Sequence, residues 1–197
     1  MAGRQTFACL DHLLTAGTTA IRPKVLTLHF RSLCKTNIPF ERQFRNAQRV
    51  YAQYNIEVRY GGGMSMNLTP AEAVKFEKID QECEWEVTDG EFAELQMMGS
   101  SIPSKAIGVF YVNRFKEASL LGCGGHMKKR PACFVAAAAG QWDLAHEVGH
   151  VLLTSNYSPV HHASTDNLMY PHSRTARTVP SLDTSQLAQI RRSSLLQ

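Results

Sequence analysis

The sequence predicts an α+β domain with one modest sheet. Three observations predict it. Short segments of alternating apolar residues are interleaved with segments of helical periodicity. A length of 197 residues, 44% hydrophobic and 19% charged, suits one buried core and excludes a disordered, collagen-like or coiled-coil chain. The longest apolar run, Ala132 to Ala139, falls far short of the ~20 residues of a membrane helix.

The elements follow in order. Leu26, Leu28 and Phe30 alternate with Thr27, His29 and Arg31, which is strand periodicity over 25–33. Phe40, Phe44, Ala47, Tyr51 and Tyr54 recur at helical spacing and predict an amphipathic helix over 40–54. Ile56, Val58 and Tyr60 alternate again, and Gly61-Gly62-Gly63 is expected to end that strand. Thr69-Pro70-Ala71-Glu72 has a capping threonine, a proline at the first helical position and a glutamate that closes a capping box, so a helix is expected from 70 to 81. A short helix is expected over 91–98 and an apolar strand over 106–115. The glycine-rich, basic stretch 122–131 is read as a loop or irregular edge, and 133–139 as a further strand. A helix over 141–154, a loop over 155–180 and a closing helix over 183–194 complete the chain. Residues 1–22 are read as an N-terminal arm or helix. Residues 23–197 form one domain with a helical insert at 70–100.

A net charge of +4 is too mild to indicate nucleic acid as a partner, and no membrane association is expected. The first residues lack the cationic start and uninterrupted apolar stretch of a secretory leader, which points to a cytoplasmic protein or leaderless export. The five cysteines, Cys9, Cys34, Cys83, Cys123 and Cys133, contain no CxxC pair, so a cysteine zinc site is not expected. They are read as reduced thiols, with a local Cys123–Cys133 bridge as the alternative.

The chemistry lies in His146-Glu147-Val148-Gly149-His150. Helical positions i and i+4 share a face, so His146 and His150 can aim their imidazoles at one metal ion. Zinc takes such ligands, needs a third from the protein, and keeps one position open for water. Glu147, beside the first ligand, can take the proton of a zinc-bound water and return it to a leaving amine. Leu144, Ala145, Val148, Val151 and Leu152 are apolar, as on a helix buried behind its metal face. No glutamate follows Glu147, which disfavours a downstream glutamate ligand and favours a three-histidine site. His161 and His162, in a polar loop, are the candidates for the third ligand.

HEVGH, the downstream histidine and Asn167-Leu168-Met169-Tyr170-Pro171 together resemble the metzincin zinc metallopeptidases. The resemblance is close over 141–171 and looser elsewhere. It implies a zincin-like domain with a small twisted mixed sheet, an active-site helix, a methionine turn and a C-terminal helix. It also implies that His146 and His150 are ligands, that Glu147 is the general base, and that Met169 lies beneath the metal. Metzincins usually have glycine three residues after the second histidine and the third ligand three residues later. Here those positions hold Leu153 and Asn156, so the helix is expected to continue further and a longer loop to bring the third ligand back. The matrixin-type spacing of eight residues from third histidine to methionine selects His161, with His162 as the alternative. Tyr170 is read as a packing residue. The resemblance further implies that the strand before the active-site helix, within 122–139, lies along the cleft and pairs with extended peptide.

The expected function is a zinc metalloendopeptidase acting on a peptide or protein, with one zinc per chain. The alternatives are a zinc-dependent hydrolase of a narrow non-protein amide and a non-catalytic zinc-binding regulatory module. His126 and His172 are read as peripheral, and Lys128-Lys129-Arg130 as a solvated turn.

Overall fold

A computed structural model describes residues 22–197 apart from 81, 82, 84, 85, 100 and 174. The expected N-terminal arm, and Cys9 with it, falls outside the described residues apart from Arg22. Strand β1 (Lys24–Ser32) buries Leu26, Leu28 and Phe30 as its alternation predicts. Helix α1 (Phe40–Ala52) returns the chain to β2 (Ile56–Ser65), which pairs parallel to β1. The three glycines therefore lie inside β2 and do not end it. Gly61 is the extra residue of a bulge opposite Leu28 and His29, and a Cβ there would collide with the His29 imidazole.

The insert contains α2 (Pro70–Lys75), with the expected Thr69–Glu72 capping box, and α3 (Gly90–Met98). Helix α2 ends earlier than its sequence suggests. Phe76 and Ile79 leave it to be buried, and Ile79 pairs with the backbone at Phe115. Strand β3 (Ile107–Val112), the short β4 (Gly122–Cys123) and β5 (Ala132–Ala136) follow. Then come α4 (Asp143–Leu153) and α5 (Thr184–Ile190). Helix α5 stops short of the expected 194 because the last residues turn back to the sheet, where Val25 and Gln197 exchange backbone hydrogen bonds of 2.7 and 3.0 Å.

Among the described residues the strands form one mixed sheet in the order β2-β1-β3-β5-β4, with β4 antiparallel at the edge. Side-chain alternation divides the interior in two. Val109, Tyr111, Cys133 and Val135 pack with α1 and α4 on one face. Phe110, Val112, Phe134 and Ala136 pack with Phe92 and Leu95 of the insert on the other.

The cysteines differ from expectation. Cys83 and Cys123 form a disulfide, while Cys34 and Cys133 are free thiols. A Cys123–Cys133 bridge is blocked by the register. Cys123 pairs with Phe134, which places Cys123 on the insert face and Cys133 on the α4 face.

Candidate metal centre

Helix α4 buries Leu144, Ala145, Val148, Val151 and Leu152 and turns its remaining stripe toward a cavity of about 470 Å³. His146 and His150 lie on that stripe with their Nε2 atoms 2.9 Å apart. The Nδ1 of His146 donates to the Leu168 carbonyl oxygen at 2.7 Å, which leaves the Nε2 lone pair facing the cavity.

The helix ends at Leu153, the position of the usual glycine, and does not extend as expected. Thr154 supplies the turn with a φ of 63°. The loop beyond returns because the His162 backbone N–H donates to the Met169 carbonyl at 2.9 Å. This brings the His161 ring within 4.9 Å of His150 and 5.6 Å of His146. One ring nitrogen from each of the three histidines lies within 4.8 Å of the others. His162 is held elsewhere. Its Nδ1 accepts from the Ser164 N–H at 3.0 Å, and its Nε2 lies 3.9 Å from Asp183 Oδ2.

Met169 is fully buried against α4. A Cβ on Gly149 would lie 2.6 Å from its sulfur, so the glycine of HEVGH lets the methionine reach the helix. The Met169 N–H donates to Asn167 Oδ1 at 2.8 Å, and the Asn167 amide donates to Gln186 Oε1 at 2.9 Å. Gln186 and Asp183 form the capping box of α5, so the helix start also anchors the methionine turn. The sequence reading missed Asn167 and Gln186 as supports. The Asp183-x-x-Gln186 pattern was the available signal.

Glu147 lies on the cavity floor and is almost fully buried. Burial, and secondarily the Asp143 carboxylate, pushes its pKa well above the ordinary glutamate range. Burial pushes His146, His150 and His161 the other way, toward neutral imidazole. The neutral ring is the form that donates a lone pair to a metal. Asp143 accepts hydrogen bonds from the Gly140 N–H at 2.8 Å and the Ser173 hydroxyl at 2.9 Å. Tyr51 of α1 donates to the Ala145 carbonyl at 2.9 Å and fixes α4 from behind.

The strand along the cleft is β4. Strand β5, which directly precedes α4, is interior to the sheet. The glycines read as a loop signal in fact face the helix. A Cβ on Gly122 would collide with the Glu147 carboxylate, and one on Gly124 would lie 2.7 Å from His150 Cβ. His172 lines the cavity with its ring 5.4 Å from that of Tyr170. The half-buried His126 pairs by its backbone with Glu86. Lys128 and Lys129 are exposed in a turn, while Arg130 donates to the Gln96 carbonyl at 3.3 Å.

Comparison of the sequence with protein-family models and with curated proteins returns no match. Comparison of the fold does return matches. Metalloproteinase-II from Bacteroides fragilis aligns with a TM-score of 0.58 and 13% identity over 88% of this chain and 54% of its own, so the chain spans about half its length. Archaemetzincin from Methanopyrus kandleri aligns with a TM-score of 0.51 and 12% identity over 85% of this chain and 94% of its own. The chain has a metzincin-like zincin fold.

Proposed function

We propose that the chain is a zinc metallopeptidase that cleaves bonds within extended peptides. His146, His150 and His161 would hold one zinc ion, with Met169 beneath them. The observation that carries this reading is the convergence of three ring nitrogens beside the buried Glu147 at the floor of an open cleft. An all-imidazole set suits zinc, and the Leu168 carbonyl fixes one ring in the tautomer a metal requires. Zinc bound there supplies a Lewis acid that acidifies water and polarises a carbonyl.

The chain's own residues supply the remaining steps. Gly122 and Gly124 present edge backbone to an extended substrate beside the histidines. Glu147 takes a proton from the attacking water and returns it to the leaving amine. Burial raises its affinity for a proton, the direction that taking a proton from water requires.

The test is a digest of a diverse peptide library by the zinc-loaded protein, read by mass spectrometry. Cleavage at many internal bonds is expected. An intact library, with zinc bound in full, would overturn the peptidase reading and leave a narrow amide hydrolase or a regulatory module.

A further inference from the structure

We infer that the helical insert closes one end of the substrate cleft, so that an extended chain pairs with only about two positions of the edge strand on that side. The inference rests on the peptidase reading and adds a limit on how the substrate is held.

The Ala136 N–H donates to the Leu121 carbonyl at 2.9 Å, and Gly122 and Cys123 pair with Val135 and Phe134. In an antiparallel pair the polar groups of alternate residues face opposite ways. Residues 121 and 123 therefore turn theirs inward to β5 and 122 turns its outward, while the chain leaves the ladder after Cys123 and next pairs at His126.

Gly122, Gly124 and His126 have different surroundings. Gly122 lies over Glu147 and Gly124 over His150, so both face the cleft beside the metal centre. His126 faces the insert. Glu86 bridges it in parallel, and the Val87 N–H donates to the His126 carbonyl at 3.0 Å. Val87 is anchored, its side chain buried in the core formed by Phe92, Phe110 and Phe134.

Two further ties hold the same segment along the chain that leads to the edge. Ile79 pairs with Phe115, and Cys83 is bonded to Cys123. The insert is thus tied to this stretch at Phe115, Cys123 and His126, and it takes the His126 carbonyl, two residues past His150's neighbour Gly124. At about 3.3 Å per residue, that is about 7 Å of strand. A substrate running toward His126 meets backbone already paired and gains nothing from further length in that direction.

The test uses two peptide series built around one cleaved bond, one lengthened residue by residue toward the N-terminus and the other toward the C-terminus. Two readouts are taken: kcat/KM with the zinc-loaded protein, and Kd by fluorescence anisotropy with the zinc-loaded Glu147→Gln protein. In one series both should level off after about three residues, whereas each backbone hydrogen bond gained in the other should give about two- to tenfold. Val87→Pro removes the donor to His126 and should move the plateau outward by at least one residue. The wild-type series decides the matter alone if that variant does not fold. Gains that continue equally in both directions would overturn the closed end and leave the peptidase reading standing. Failure to bind or cleave any member would overturn both.

Discussion

The Nδ1 of His146 donates to the carbonyl oxygen of Leu168 at 2.7 Å, which joins α4 to the residue just before Met169. The contact orients the ring, and the turn that offers the carbonyl is itself held by the Asn167–Gln186 pair. Gln186→Leu should leave the buried Asn167 amide without its partner. Stability should fall by about 1–3 kcal/mol in urea unfolding. Zinc affinity should fall about 10- to 100-fold in chelator competition. Unchanged values for both would show that α5 does not support the site.

The adjacent histidines should separate cleanly. His161→Ala should lose zinc under conditions in which the wild type keeps it. His162→Ala should retain zinc, because its imidazole contacts the Ser164 N–H and faces Asp183. Metal analysis after gel filtration measures both, and the reverse pattern would assign the third ligand to His162.

Gly149→Ala places a methyl group against the buried Met169 sulfur, 2.6 Å away before any adjustment. Overpacking of this kind should cost about 1–3 kcal/mol. Thermal unfolding of the Gly149→Ala/Met169→Ala double variant should show a cost smaller than the sum of the two single changes. Strict additivity would mean that the two residues do not oppose each other.

The metal-free protein should show the titration of Glu147. Its folded pKa is raised above the ordinary 4.5, so the folded state keeps a proton that the unfolded chain has released. Stability from this group is therefore present below about 4.5 and lost as pH rises toward the folded value. Glu147→Gln carries no such loss. Metal-free Glu147→Gln should melt above metal-free wild type at pH 8, and the gap should narrow toward pH 4.5. The lowered pKa values of His146 and His150 destabilise both proteins alike as pH falls below 6.5, so they cancel in the difference. A gap independent of pH would contradict the burial of an ionisable Glu147.

The parts of the site legible in the sequence are those set by local geometry. Four-residue spacing on a helix places His146 and His150 together whatever surrounds them. The family spacing to Met169 selects His161, and His161 is the one of the adjacent pair whose ring nitrogen lies with those of His146 and His150. Features set by distant contacts were not legible. Cys83 and Cys123 are 40 residues apart with no spacing signal, and their pairing depends on where the insert lies. Gly61, Gly122 and Gly124 suggested turns, yet each marks a side chain from another element pressed against the backbone. The end of α4 was misjudged because Thr154, a β-branched residue, takes the positive φ that glycine normally supplies.

Glu147 is proposed to move a proton at a zinc centre held by His146, His150 and His161. The most direct measurement compares zinc content and peptide hydrolysis for wild type and Glu147→Gln prepared side by side. About one zinc per chain is expected in both, with hydrolysis lost in the variant. Hydrolysis at the wild-type rate by zinc-loaded Glu147→Gln would contradict this role for Glu147.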